Sequence, residues 1–270
     1  MFKNITIGQY VEGNSFIHKM DARVKILLAL FYIFILFIIA SPAAYVVFTI
    51  FTVFLIMISG VPAGYILRGL KPMLFILVFT AVINLFMTGG ETVIWTCPFW
   101  SKMQITEEGL KTAVMMILRL VYLVAGTSVL TLTTSPLMLT DGIESLLKPF
   151  EIIKVPSHEI AMMMTIAIRF IPTLSEETEK IMKAQMARGA DFETGNIFRR
   201  AKAMIPLLVP LFISAFRRAD DLAVAMDSRC YCGGKHRTRM KVMKMTYRDA
   251  VAVAFMAAFA ALAIIVQNIL

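Results

Sequence analysis

The stretch ILLALFYIFILFIIA-SP-AAYVVFTIFTVFLIMI, residues 26–58, decides the fold class. Residues 26–40 form an unbroken apolar run that is too long for a β-strand, and residues 43–58 form a second one. Between them Ser41 can cap a new helix, and Pro42 falls at its first position, where a missing N–H costs little. Each run is near the short end of the ~17–25 residues that cross a bilayer. The pattern predicts a tight helical hairpin across the membrane, with a helical pair at the membrane interface as the alternative.

The composition of the whole chain agrees with an integral membrane protein. Of its 270 residues, 59% are hydrophobic, compared with about 45–50% apolar residues in soluble domains. The net charge of +9 has a simpler source than nucleic-acid binding, because Lys and Arg of membrane proteins gather in cytoplasmic loops. We therefore expect the lipid bilayer as a partner and no nucleic acid.

Three further apolar stretches follow the hairpin, at residues 72–87, 113–132 and 250–266. The second of them is preceded by Thr106-Glu107-Glu108-Gly109, a typical helix start. Together with the hairpin they predict about five transmembrane helices. The predicted fold class is all-α, a polytopic membrane protein with long cytoplasmic helices in addition to its membrane spans.

The distribution of positive charge predicts the orientation in the membrane. Nine of the 27 Lys and Arg residues occur up to Arg119, and the other eighteen lie between Lys148 and Arg248. The positive-inside rule then puts the N-terminus and the segment 141–248 in the cytoplasm. The predicted division is 1–140, an N-terminal cytoplasmic segment and four membrane helices; 141–248, the cytoplasmic helices; and 249–270, the last membrane helix.

Two polar residues interrupt the predicted spans. Arg119 lies in the fourth apolar helix, where it is either a functional intramembrane charge or a side chain that extends to the membrane surface. Asn84 lies near the end of the third span and predicts a hydrogen bond between helices.

Two hexapeptides in the polar segment resemble each other, Ala184 to Gly189 and Ala225 to Cys230. Each has an arginine near the end of a predicted helix. The first helix is expected to start with a capping box, Thr173 and Glu176, just after Pro172. The second is expected over residues 210–226, with Gly233-Gly234 as its stop. Basic residues at helix ends commonly offset the helix dipole, but the repetition favours two helix tips that insert into clefts of a paired soluble partner.

At these residues the sequence resembles the transmembrane T component (EcfT) of energy-coupling factor transporters, ABC-type importers of vitamins and metal ions. The resemblance covers almost the whole chain as an ordered set of short segments, which are residues 8–10, 15–25, 169–177, 184–190, 206–211 and 217–223.

The resemblance implies two Ala-Arg-Gly motifs that end coupling helices and dock on two cytosolic ABC-type ATPases. The first motif is Ala187, Arg188 and Gly189. At the second the chain has Ser228, Arg229 and Cys230, so only the arginine is kept. A glycine there would provide a left-handed turn that Cys230 would strain, and Gly233-Gly234 is the alternative source of the turn. The implied mechanism passes ATP-driven motion to a membrane-embedded, substrate-binding S subunit.

Other chemistry finds little support in the sequence. His158-Glu159 lacks the second histidine of a zinc-protease helix, and Gly233-Gly234-Lys235 lacks the first glycine of a phosphate-binding loop. Asp220-Asp221 is interpreted as a solvated helix face or a salt bridge to Arg217 or Arg218. We therefore expect no enzyme, no cofactor and no resident metal; the alternatives are a polytopic membrane enzyme and a stand-alone carrier.

Overall fold

The computed structural model describes residues 10–89, 92–96, 104–192, 196–233 and 243–269. This part of the chain holds nine α-helices, two 3-10 helices (Lys71–Met73 and Lys148–Ile153) and a two-stranded antiparallel hairpin. The helices are α1 Ala22–Ile38, α2 Pro42–Ser59, α3 Ala63–Leu70, α4 Leu74–Met87, α5 Glu107–Thr133, α6 Pro136–Leu147, α7 Ser157–Ala187, α8 Ile197–Asp227 and α9 Tyr247–Ile269, and the strands are β1 Val93–Thr96 and β2 Gln104–Thr106.

The chain divides into two compact units. One, called the membrane unit below, comprises residues 8–142 and 243–270. The other contains residues 143–242, and within it lie α7 and α8. The assignment of 1–140, 141–248 and 249–270 to the two sides of the membrane stays a prediction.

Four helical stretches are long and apolar enough to cross a bilayer: Pro42–Ser59, Ala63–Met87, Glu107–Thr133 and Tyr247–Ile269. The prediction of an all-α polytopic membrane protein is confirmed. Helix α1 is equally apolar over 17 residues and would be the fifth span. The third span begins earlier than predicted, because α3 and a 3-10 turn precede α4.

Ser41 and Pro42 separate α1 from α2 as predicted. Ser41 is the N-cap of α2, Pro42 occupies the first turn, and the Ser41 carbonyl accepts from the Tyr45 N–H at 3.2 Å. The Ser41 side chain makes no capping hydrogen bond. The fixed φ of proline, rather than a side-chain cap, therefore starts α2.

An aromatic core joins α1, α2, α5 and α9 in the membrane unit. The rings of Phe51 and Phe259 stack with centroids 3.8 Å apart. The Tyr32 hydroxyl donates to the Tyr122 carbonyl at 3.1 Å, so a polar group in the core is satisfied. Gly126 makes room for this tyrosine, because a Cβ at that position would lie 2.3 Å from the Tyr32 ring.

Buried charged side chains fasten one end of this unit. The Lys25 ammonium donates to the carbonyls of His18 and Thr133 at 3.3 and 3.0 Å and to the Thr134 hydroxyl at 3.2 Å. Asp249 accepts from the Asp21 N–H at 2.9 Å. These bonds join the segment before α1 and the first turn of α1 to the end of α5 and the start of α9. A count of positive charges in the sequence could not predict these contacts.

Arg119 links α5 to the α1–α2 hairpin. Its guanidinium donates to the Tyr45 hydroxyl at 3.0 Å and to the Ile39 carbonyl at 2.9 Å, and it lies 5.7 Å from the Phe37 ring centroid. Ile39 is the C-cap of α1, where carbonyls lack helical partners and attract a cation. Arg119 is therefore a structural residue that ties three helices together.

The expectation for Asn84 is wrong. Its side-chain amide donates to the Thr80 carbonyl of the same helix at 2.8 Å. The carbonyl one turn back is always within reach of a helical asparagine, and this local bond satisfies the side chain without a second helix.

Candidate docking site

Helices α7 and α8 carry the two arginine motifs and are 31 residues long each. The predicted helix start at Thr173 and Glu176 is wrong, because α7 runs from Ser157 through Pro172 without a break. The second predicted helix also starts too late, since α8 contains both Pro206 and Pro210. A proline inside a helix costs about 3 kcal/mol, a cost that good helix formers on both sides and contacts with the neighbouring helix offset.

The first motif ends α7 in a Schellman arrangement. The Ala190 N–H donates to the Gln185 carbonyl and the Gly189 N–H to the Met186 carbonyl, both at 3.0 Å. This is the pair of bonds that defines the motif, with Arg188 at the C-cap and Gly189 in the left-handed position. Gly189 has a φ of 87°, which glycine adopts without strain.

The second motif ends α8 with the same hydrogen bonds. The Tyr231 N–H donates to the Met226 carbonyl at 3.1 Å, and the Cys230 N–H donates to the Asp227 carbonyl at 2.9 Å. Arg229 therefore takes the C-cap position that Arg188 takes on α7. The two helix ends are equivalent bond for bond.

Cys230 itself adopts the left-handed turn, with a φ of 56°. Gly233 does not supply this turn, contrary to the alternative of Gly233-Gly234, and Gly234 lies outside the described residues. A Schellman end requires the positive φ directly after the C-cap, and Gly233 lies three residues further on. The strain expected at Cys230 is therefore present, at about 1–2 kcal/mol for an L-residue in this conformation.

All six motif residues are exposed: Ala187, Arg188, Gly189, Ser228, Arg229 and Cys230. Within the described residues neither motif arginine forms an ion pair. Each guanidinium keeps its planar set of donors for carboxylates or carbonyls outside the chain. The small neighbours leave space for another backbone to approach.

Three side chains, Glu177, Ser214 and Arg218, form a polar clamp that connects α7 to α8. The Arg218 guanidinium donates to one Glu177 oxygen and the Ser214 hydroxyl to the other, each at 2.5 Å. Glu177 is therefore bound by both partners across the helix pair. The expected salt bridge of Asp220 or Asp221 with Arg218 is replaced by this contact, and both aspartates are exposed as a solvated face.

No sequence pattern pointed to the clamp. Its members are 37 and 41 residues apart, and only the packing of α7 against α8 brings them together. Glu177 lies in the middle of α7 and not in the first turn of the helix expected to start at Thr173, because α7 begins twenty residues before Glu177, at Ser157. The amphipathic pattern of two long helices that face each other is the one signal that could have suggested a polar pair.

His158 has a partner that is not a metal. Its Nδ1 lies 3.1 Å from a carboxylate oxygen of Glu144. Among the described residues, no group of three or more His, Cys, Asp or Glu side chains could hold a metal ion.

Comparison with known proteins places this sequence in a family. The family model described as cobalt transport protein, CbiQ, matches residues 13–240. A protein of Clostridium kluyveri is 57% identical, over 100% of this chain and 97% of its own length. Its name is energy-coupling factor transporter transmembrane protein EcfT. The chain belongs to the EcfT family.

More distant relatives bear the same name. The protein of Thermosediminibacter oceani is 56% identical over 93% of each chain. The protein of Bacillus subtilis is 42% identical over 97% of this chain and 98% of its own. The resemblance stated from the ordered segments is confirmed: this EcfT-family chain is a membrane component of a transporter, not an enzyme.

Proposed function

We propose that this chain is the membrane scaffold of an energy-coupling factor importer, which passes the ATP-driven motion of two cytosolic ABC-type ATPases to a substrate-binding S subunit. In this proposal Arg188 and Arg229 each dock in a groove of one ATPase. The cargo class is a vitamin or another micronutrient. The segment 141–248 and the N-terminus lie in the cytoplasm, where the ATPases are.

The observation that carries the proposal is the equivalence of the two helix ends. Both have an exposed arginine at the C-cap and the same pair of Schellman hydrogen bonds. Two equal tips on one chain suit two equal or similar partners, as the paired ATPases of an ABC-type transporter are. The helix dipole alone would explain an arginine at one helix end. It does not explain why both helix ends have the same backbone geometry.

The polar clamp gives the transmission a physical route. Because Glu177 is bound by Ser214 and Arg218, a displacement of one helix tip acts on the other helix as well. Movement of the ATPases relative to each other then displaces α7 and α8 together, because the two helices are connected.

The test replaces each arginine in the assembled transporter and measures ATPase co-purification and vitamin uptake. Loss of a charge-assisted hydrogen bond costs about 1.5–3 kcal/mol, so Arg188→Ala should weaken ATPase binding about ten- to a hundredfold. Arg188→Lys should also impair binding, because lysine lacks the planar fork. The double variant Arg188→Ala with Arg229→Ala should abolish uptake.

The matched control is Arg199→Ala, which removes an exposed arginine of α8 outside the motifs. It should leave binding and uptake near wild type, as should the amount of each variant in the membrane. Retained uptake in the double variant, or equal losses in the Arg199 control, would remove the docking proposal.

A further inference from the structure

The membrane unit contains an apolar side pocket of about 490 Å³ between α1, α2, α5 and α9. Its size falls within the ~300–1,000 Å³ of ordinary ligand sites. Buried residues of three helices, Tyr32, Val129 and Met256, form part of its wall. All residues that line it belong to the membrane unit, whereas the arginine motifs belong to the other unit.

The pocket opens towards the lipid. Its rim includes Phe54 of α2 and Phe255 of α9, which are 42% and 47% exposed. Both helices have the length and hydropathy of membrane spans, so their exposed faces meet the hydrocarbon of the bilayer. A molecule therefore reaches the pocket sideways from the membrane.

Water is a poor occupant of this space. A buried water needs two to four polar partners, and cavities lined by apolar side chains stay dry. The one charged group in the wall, Lys25, already donates to three oxygens, which uses every N–H of an ammonium. A hydrocarbon chain can pack against these apolar side chains, because it needs no hydrogen-bond partner.

The position of the pocket along the bundle indicates which part of a lipid enters. On α1 it extends from Lys25 to Tyr32, about 10 Å at 1.5 Å per residue. It thus covers roughly a third of the ~30 Å hydrocarbon core. It begins at the end of the bundle where Lys25 bonds to His18, Thr133 and Thr134. This is the depth of the upper part of an acyl chain, the part closest to the headgroup.

Basic side chains flank the same end. Lys19 is exposed and precedes Met20, a wall residue. Arg248 is half-exposed and lies one helical turn before Val251 and Ala252, which also line the pocket. Basic residues at a membrane surface attract anionic lipid headgroups.

We propose that the pocket binds one acyl chain of an anionic phospholipid, whose phosphate lies near Lys19 and Arg248. The bound chain completes the packing of α1, α2, α5 and α9 in the membrane.

The experiment reconstitutes the full chain in vesicles that contain phosphatidylglycerol with a diazirine in the middle of one acyl chain. After illumination, mass spectrometry measures how much label is on peptides from the pocket wall. Ala252→Phe and Ala29→Phe fill the pocket from two different helices. Each should reduce this label about tenfold, the effect of excluding about two methylene groups.

Ala254→Phe is the matched control, because Ala254 is exposed on another side of α9 and the residue added is the same. It should leave the label on pocket peptides unchanged. Phosphatidylcholine with the same diazirine chain should label the pocket less than phosphatidylglycerol. Lys19→Gln and Arg248→Gln should each reduce that preference about fivefold.

Unchanged labelling in both filling variants, or label confined to outward surfaces, would overturn the pocket as a lipid site. Equal labelling by the two lipids would overturn the assignment of an anionic headgroup. Because the filling variants act from two helices, failure of one to fold leaves the other to decide.

Discussion

Substitution of Cys230 by glycine should stabilise the end of α8. Cys230 has a φ of 56°, a conformation that costs an L-residue about 1–2 kcal/mol. The variant relieves that strain and changes none of the hydrogen bonds of the turn, since the Cys230 and Tyr231 N–H groups still meet the Asp227 and Met226 carbonyls.

The expected size follows from two opposing contributions. Relief of the left-handed conformation gains about 1–2 kcal/mol, and the greater freedom of glycine in the unfolded chain costs about 0.5–1 kcal/mol. The net gain is about 0.5–1 kcal/mol, a factor of about two to five in the opening equilibrium of the turn. The reverse substitution, Gly189→Ala, should destabilise the end of α7 by about 1 kcal/mol, because Gly189 has a φ of 87°.

Amide hydrogen exchange of the purified full chain measures this opening locally. The Tyr231 and Ala190 amides close the two Schellman ends, and their exchange rates report opening of each turn. Cys230→Gly should slow exchange at Tyr231 about two- to fivefold, while Gly189→Ala should accelerate exchange at Ala190. The other helix end serves as the internal reference in each variant.

Cys230→Ala separates strain from the loss of the thiol. It keeps a β-carbon in the left-handed position and should therefore give no slowing. Equal slowing by the alanine and glycine variants would refute the strain argument, because the effect would then come from removing sulfur. An unchanged rate in Gly189→Ala would refute the assignment of equal conformational demands to the two ends.

Two further experiments test the packing of the helices. Gly126→Ala should destabilise the membrane unit by about 1–3 kcal/mol, because the new Cβ would lie 2.3 Å from the Tyr32 ring. Thermal unfolding in detergent measures this loss of stability. The control Gly64→Ala, which has nothing within 4 Å of its Cβ, should lose no stability. Glu177→Gln and Arg218→Gln, combined in a double-mutant cycle, should have a coupling energy of about 1 kcal/mol, reduced by partial exposure, whereas additive effects would argue against the clamp.

Local signals in the sequence predicted the starts of α2 and α5 well. Thr106 was expected to open α5, and its hydroxyl accepts from the Gly109 N–H at 3.1 Å. Pro42 was expected in the first turn of α2, and it lies there. Such signals succeed because the groups that start a helix are neighbours in the chain, so their geometry does not depend on the rest of the fold.

The prolines of α7 and α8 show where local signals fail. Pro172 and Pro210 predicted boundaries, and both lie inside a helix, as does Pro206. A proline removes one helical hydrogen bond and favours a break, but whether the helix continues depends on what the flanking residues gain by packing. Contacts such as that of Glu177 with Arg218 form across the fold, and no short stretch of sequence contains them.

The arginine motifs were located from the sequence, but the shape of the second one was not. Because the second motif has Cys230 in place of glycine, the sequence left Gly233-Gly234 as an alternative source of the turn. The two hydrogen bonds of the Schellman end require a left-handed residue directly after Arg229, and they form only in the folded backbone. They hold Cys230 at a φ of 56° against a cost of about 1–2 kcal/mol.

This balance explains how the second motif keeps its geometry with only one residue of Ala-Arg-Gly. What the helix end needs is a C-cap residue, a left-handed residue after it and two carbonyls to receive the following N–H groups. Ser228 and Cys230 meet these needs through the backbone, and both are small enough to leave Arg229 exposed. A partner that recognises the turn through main-chain shape and guanidinium charge therefore finds the same surface at both tips, although their sequences differ at two of three positions.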